Sequence, residues 1–284
     1  MDDAVFIVGA PAGVVALDIG HAGAPAEHDR HWHGLGQLQV ILHGLMAVDV
    51  GDGWWIMPPG RVGWLPPRWP HAGRSFGAIS VLVLHLDDER AKALPPVPSV
   101  VALSPFVGAL FQRLRDIGDG DGHSEAGAGV GRRDRILDVL TDELTLAREE
   151  PLHLPMPADR RLSRMCQALM EDPADGRDLD QWAVAIGLSR RSLTRHLVAE
   201  TGLSFGRWRT QARLMAAVRM LSENRSVTEV ALTVGFDSVS AFIAGFRRHF
   251  GTTPARFLRG RGLPGDVGEV QRPGVRSPAR EGGE

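Results

Sequence analysis

Short apolar runs separated by turn residues occupy the first third of the chain. The runs lie at residues 39–42, 46–50, 54–57 and 79–86. Gly, Pro and Asp divide them, and Asp49–Gly53 has the composition of a hairpin turn. Many short strands at this spacing are typical of a small β-barrel or jelly roll, so we predict a barrel over residues 5–86.

The hydrophobic period changes to that of helices after Ser104. Apolar residues follow Ser104-Pro105 at helical spacing as far as Leu114, and they recur at this spacing from Arg132 to Glu149. Gly, Asp and small residues at 118–131 predict a flexible loop between these helices. Both apolar stripes must be buried on the barrel or on a second subunit, so a homodimer is one expectation.

Prolines and charges divide the rest of the chain. Three prolines in the segment 151–157 predict a linker over residues 151–158. Residues 159–260 are mostly helical in pattern, whereas the Gly, Pro and charge of residues 261–284 predict a disordered tail. The expected fold class is α+β with two domains, a β-barrel with two following helices at 1–150 and an all-α domain after the linker.

The helical domain contains two helix-turn-helix patterns about fifty residues apart. In the first, Trp182 and Ala183 supply a buried face, Gly187 permits the turn and Ser189 can cap the second helix. Two leucines four residues apart then anchor that helix. The residues around them are expected to face outward and to contact DNA: Arg190, Arg191, Thr194 and Arg195.

The second pattern extends from Ser226 through Gly235 to Phe257. Its second helix begins near Ser238 with small or apolar residues at the outward positions, and arginines follow a turn or more later. The residues predicted to contact DNA are Val239, Ser240, Ala241, Arg247 and Arg248. We therefore expect the first unit to supply most base specificity and the late arginines to hold phosphate.

Charge is distributed unevenly between the two predicted domains. Residues 159–260 hold sixteen Arg and ten acidic residues, whereas residues 1–158 hold twelve basic and twenty acidic residues. A basic half behind an acidic half is expected of a nucleic-acid binder with a separate second domain. The single Cys166 excludes an internal disulfide. No apolar run approaches the ~20 residues of a membrane span, so we expect a cytoplasmic protein that joins the nucleoid when bound to DNA.

Residues 160–258 resemble the DNA-binding domain of the AraC/XylS family of bacterial transcription regulators. The resemblance rests on the two patterns above and continues through Thr201-Gly202-Leu203-Ser204-Phe205 and Trp208. It implies that the long helix after Trp208 joins the units rigidly, so that their second helices meet successive major-groove segments of double-stranded DNA. It also implies RNA polymerase as a partner, and activation of transcription more commonly than repression.

Two histidine-containing segments of the barrel resemble the two motifs of the cupin superfamily. They are His31-x-His33-x3-Gln37-x6-Gly44 and Gly60-x5-Pro66-x-Arg68-x2-His71-x3-Ser75. Metal-binding cupins take two His and a carboxylate from the first motif and a third His from the second. The resemblance therefore implies an effector or metal site of His31, His33, Gln37 and His71, and imidazoles of this kind can hold Zn, Ni, Cu or Fe.

Several positions depart from the cupin pattern. Gln37 stands at the usual Glu, which removes the anionic ligand. Pro25 and Arg68 stand at two usual Gly positions, and Ser75 stands at the usual Asn. The site can therefore hold a metal ion, it can hold a small organic effector through hydrogen bonds, or the barrel can be purely structural.

We interpret the chain as a ligand-responsive transcription regulator and not as an enzyme. Trp55 and Trp64 are candidate pocket-lining residues, because indole rings suit aromatic or heterocyclic ligands. The segment His31–His71 resembles a subgroup of regulators that often controls neighbouring transport or efflux genes. The alternatives are a metal-sensing regulator and a metal-dependent cupin enzyme fused to a DNA-binding domain, and the missing carboxylate argues against the enzyme.

Overall fold

A β-rich N-terminal domain precedes a helical C-terminal domain in the computed structural model, which confirms the predicted fold class. The structure describes residues 15–20, 27–76, 79–120, 128–223 and 225–258. Pro25, part of the predicted loop at 118–131 and the predicted tail at 261–284 lie outside these described residues.

Ten strands of the described residues form two five-stranded antiparallel sheets. The strands are β1 (Val15–Gly20), β2 (Glu27–His31), β3 (Gly36–His43), β4 (Met46–Asp49), β5 (Gly53–Met57), β6 (Arg61–Leu65), β7 (His71–Ser75), β8 (Ile79–Leu86), β9 (Ser99–Ala102) and β10 (His153–Pro155). The first sheet has the order β1-β8-β3-β6-β9, and the second has the order β10-β5-β4-β7-β2. Buried residues of both sheets, such as Ile41 and Val48, belong to one apolar cluster.

Three helices follow within the N-terminal domain: α1 (Asp88–Ala91), α2 (Pro105–Gly120) and α3 (Ala128–Leu146). The apolar stripes of α2 and α3 pack on the outer face of the first sheet, where Phe111 and Leu140 join Leu38 and Leu84 in a second cluster. These stripes are therefore buried on the barrel. The prediction of a loop over 118–131 is wrong at both ends, because α2 and α3 extend into it.

The segment predicted as a linker at 151–158 contains a strand of the barrel. Strand β10 pairs antiparallel with β5, so that His153 lies opposite Trp55. Leu152 and Leu154 are buried in the apolar cluster on either side of His153. Proline is compatible with this position because β10 is an edge strand, where a missing N–H does not interrupt the ladder.

Seven helices of the described residues form the C-terminal domain. They are α4 (Arg160–Glu171), α5 (Leu179–Ala185), α6 (Arg190–Thr201), α7 (Phe205–Ser222), α8 (Val227–Thr233), α9 (Val239–Phe250) and α10 (Pro254–Leu258). Their core includes the fully buried Cys166, Trp208, Phe242 and Phe246. None of the helices that the structure describes has the length and apolar content needed to cross a membrane.

Candidate DNA interface and effector site

The first helix-turn-helix unit consists of α5 and α6, and local hydrogen bonds fix both helix starts. Asp178 and Gln181 form a capping box at α5, and the Ser189 hydroxyl accepts the Ser192 N–H at 3.1 Å at the start of α6. Between them Gly187 has a φ of 68°, a left-handed conformation that favours glycine. The turn therefore sets the angle of α6 as the sequence predicts.

Leu193 and Leu197 are fully buried, so the opposite face of α6 is open to solvent. The four residues predicted to contact DNA all lie on this exposed face: Arg190, Arg191, Thr194 and Arg195. They differ in their partners, since Arg190 forms an ion pair with Asp180 at 2.6 Å and Arg195 lies 3.1 Å from the His196 ring. Arg191 takes part in none of the salt bridges found within the described residues.

The second unit consists of α8 and α9, and its turn is more crowded than the first. Gly235 has a φ of 82°, and an added Cβ would lie 2.8 Å from the Ala174 Cα. Ser238 then caps α9 by accepting the Ala241 N–H at 3.1 Å. Only glycine fits this turn, because any side chain meets the backbone of the segment after α4.

The exposed face of α9 is small and apolar at its start and cationic at its end. Ser240, Ala241, Arg247 and Arg248 are exposed, but Val239 is half-buried against the core. The half-buried Ile243, which sequence reasoning missed, shares a surface depression with residues of this face. This face is suited to apolar contact and phosphate binding more than to guanine recognition.

Helix α7 joins the two units and is buried along its length. Its 18 residues span about 27 Å, and it contacts helices of both units. Half of its residues are buried, among them Trp208 and Leu214. A single continuous buried helix between α6 and α9 limits their relative movement.

Three histidines lie together at one end of the barrel, and we call His31, His33 and His71 the histidine cluster. Strands β2 and β7 place His31 opposite His71, with ring centroids 4.4 Å apart. His33 follows two residues after His31, at 4.8 Å from its ring and 5.2 Å from that of His71. The potential ligand nitrogens of all three lie within 4.8 Å of one another.

Backbone carbonyls orient two rings of the histidine cluster. The Nδ1 of His31 lies 2.7 Å from the Asp29 carbonyl, and the Nδ1 of His71 lies 2.9 Å from the Trp69 carbonyl. Since a carbonyl oxygen only accepts, the Nδ1 of each ring is the donor, so the Nε2 is the nitrogen that can bind a metal ion. Burial, together with the neighbouring His71 and His31, lowers the pKa of His33 to about 4, so this ring is neutral at neutral pH.

Gln37 and His85 are buried polar residues of the first sheet. Gln37 on β3 pairs with His85 on β8, so both side chains leave the same face of the sheet. They are 2% and 3% exposed, and the His85 ring lies 5.5 Å from that of His33. Sequence reasoning missed His85 because it lies in an apolar strand outside both motifs.

Trp55 and Trp64 occupy different faces of the barrel wall. Trp55 lines the interior beside Gln39 and stacks on His153 of β10, with ring centroids 4.9 Å apart. Trp64 pairs with Leu38 across β6 and β3, and its indole N–H donates to the Pro95 carbonyl at 2.8 Å. By strand alternation Trp64 lies on the face opposite Gln37, so the structure does not bring it to the histidine cluster.

The donor set of the histidine cluster fits a divalent transition metal. Tetrahedral zinc with ligands at 2.0–2.1 Å requires nitrogens about 3.3 Å apart, which small side-chain rotations can reach from the present spacing. Imidazole nitrogens suit Zn, Ni, Cu and Fe, whereas Mg and Ca prefer carboxylate oxygens. The histidine cluster itself contains no carboxylate.

The two domains contact each other through buried polar groups. Arg61 of β6 pairs with Glu150 at 3.2 Å, donates to the Phe257 carbonyl at 3.4 Å and lies 4.1 Å from the Phe257 ring. The Trp208 indole of α7 donates to the Pro155 carbonyl of β10 at 2.7 Å. The barrel strand β10 is thereby attached directly to the helix that joins the two helix-turn-helix units.

Comparisons with known proteins agree with both halves of this architecture. Residues 14–128 match the AraC-like ligand binding domain, and residues 182–260 match a helix-turn-helix domain. The chain is 31% identical over 228 residues to the HTH-type transcriptional regulator NimR of Escherichia coli, covering 80% of this chain and 81% of that protein.

Two further matches cover different shares of the chain. The regulator RipA of Corynebacterium glutamicum is 37% identical over 118 residues, which are 42% of this chain and 36% of RipA. A crystal structure of ToxT from Vibrio cholerae with bound unsaturated fatty acid covers 90% of this chain and 97% of that chain at 12% identity, with a TM-score of 0.37.

Proposed function

Because the chain belongs to the AraC family of transcription regulators, with a ligand-binding domain ahead of its DNA-binding helices, we propose that occupancy of the barrel sets its affinity for a specific operator. One observation carries this proposal. The barrel that holds the histidine cluster is joined through β10 and Arg61 to the helices that position α6 and α9.

Helix α6 is the main base-reading element in this proposal. Its exposed Arg191 and Arg195 can reach guanine edges in the major groove, where Arg forms bidentate hydrogen bonds. Arg247 and Arg248 lie in the last turn of α9 and hold phosphate. Ser240 and Ala241 at the start of α9 make short-range contacts to bases, including thymine methyl groups.

The coupling between effector and DNA is a shift between two arrangements of the domains. An effector changes the operator affinity only if it binds the two arrangements with different free energies. The contacts of Arg61 and Trp208 belong to one arrangement, so an effector that moves β10 or β6 favours the other. The site supports sensing rather than catalysis, because the metal-holding group among the described residues lacks the carboxylate of the cupin enzymes.

Two partners besides DNA belong to the proposal. Val139 and Leu146 of α3 are 41% and 83% exposed, which supports a second copy of the chain as the partner of this helix. Contact with RNA polymerase follows from activation, the more common outcome among related regulators.

The test is a selection from a random duplex library with the full chain. Wild-type protein is expected to enrich one sequence, and the Arg191→Ala/Arg195→Ala double variant is expected to enrich none or a weaker one. Arg164→Ala, a substitution on α4 outside both reading helices, is the matched control and is expected to behave as wild type. Equal, sequence-independent recovery by wild type and double variant contradicts the proposal.

A further inference from the structure

Among the described residues, one imidazole besides those that the cupin motifs supply lies next to the histidine cluster. His85 of β8 lies beside the histidine cluster, nearest to His33. Gln37 lies directly across the sheet from His85, at the position where the cupin pattern has a carboxylate. The His85 ring is therefore adjacent to His33, whose ring also contacts those of His31 and His71.

Several polar atoms around this region lack a hydrogen-bond partner among the described residues. They are the Nε2 of His33, the Oε1 of Gln37 and the Nδ1 of His85, and all three are buried. Leaving one buried polar atom unpaired costs about 1–3 kcal/mol, so three such atoms in one place indicate a shared occupant. In His71 the Nδ1 is engaged by the Trp69 carbonyl, so the Nε2 is the atom of this ring that can bind an ion.

A single ion suits these buried atoms, because it can be bound by the lone pairs of several nitrogens at once and needs no large cavity between them.

We propose that His85 is the fourth ligand of a divalent transition-metal site completed by His31, His33 and His71. Four imidazole ligands give a site of type N₄, which does not offset the charge of the ion and selects borderline ions such as Zn²⁺ over Mg²⁺ and Ca²⁺. The nearby Arg30 is paired with Asp49 at 2.6 Å, which offsets its charge. The inference rests on the proposed function, because it identifies the effector of the barrel as this ion.

The test uses the metal-free full chain, titrated with Zn²⁺ against a chromogenic chelator and with Co²⁺ followed by its visible absorption. Wild type is expected to bind one ion per chain with the intense absorption of four-coordinate Co²⁺. His85→Ala is expected to lower the affinity by roughly tenfold or more, because even outer-shell changes cost 10–100-fold. His43→Ala is the matched control, since His43 is exposed and lies about 20 Å along β3 from Gln37.

Circular dichroism of the metal-free proteins shows whether each variant folds. If His85→Ala does not fold, His85→Gln replaces it in the affinity measurement, because glutamine keeps a polar side chain of similar size. Unchanged metal affinity and Co²⁺ absorption in either folded variant overturn the role of His85. A wild-type chain that binds no Zn²⁺ or Co²⁺ at micromolar concentration overturns the site itself. If the same metal-free chain still selects an operator, the regulator proposal stands even though the metal site does not.

Discussion

Arg191 offers the sharpest test of how the first unit reads DNA. Its side chain is exposed on α6 and joins none of the salt bridges found within the described residues, so no intramolecular ion pair has to break before it binds a base. A bidentate Arg–guanine contact contributes about 1–3 kcal/mol of discrimination, which is roughly 5–150-fold in affinity. Arg191→Ala is expected to lose this much affinity for the selected operator and far less affinity for a duplex of random sequence.

Arg190 and Arg248 provide the controls for this experiment. Arg190 must give up its exposed ion pair with Asp180, worth about 0–1 kcal/mol, so Arg190→Ala is expected to lose less than Arg191→Ala. Arg248→Ala is expected to weaken all sequences alike and to reduce the salt slope of binding by about one. Fluorescence anisotropy at several salt concentrations measures both effects. Equal loss on operator and random duplex for Arg191→Ala would refute the base-reading role.

Three further predictions concern the interface, the turns and the core. Arg61→Met is expected to lower the free energy of unfolding in urea by about 3 kcal/mol, because it leaves Glu150 without its ion-pair partner. The same variant is expected to change operator affinity. Wild-type stability and wild-type operator affinity in this variant would contradict a coupling role for Arg61. Gly187→Ala is expected to lower the free energy of unfolding by about 1–2 kcal/mol, and Gly235→Ala by about 3 kcal/mol or more. The effects differ because only a Cβ at position 235 would clash with backbone atoms. Equal unfolding midpoints of the two variants would contradict this prediction. Burial raises the pKa of the Cys166 thiol, so Ellman's reagent is expected to label it only after unfolding, and rapid labelling of the native chain contradicts the burial.

The helical domain was predictable because each of its features is local. Ser189, Ser226 and Ser238 each accept a backbone N–H at a helix start, and Gly187 and Gly235 have the positive φ that a tight turn requires. Such hydrogen bonds and dihedral angles depend on neighbours within a few residues. The sequence therefore indicates both units and the exposed arginines on their second helices.

The barrel was harder to predict because its strands depend on distant partners. Strand β3 is buried at six consecutive residues from Gly36 to Ile41, since α2 and α3 cover the outer face, and this removes the alternation of apolar and polar residues. The strand β10 was hidden by its prolines, which a sheet edge tolerates. The approach of His85 to His33 follows from strand register, which single-sequence patterns do not reveal.

Hydroxyl-radical footprinting of the full chain on its selected operator tests the central claim most directly, because it maps both reading helices at once. If α7 holds α6 and α9 rigidly, two protected segments are expected on one face of the duplex, about one helical turn apart. Arg191→Ala is then expected to weaken the segment under α6 more than the other. Protection of a single segment, or of two segments on opposite faces, contradicts the account.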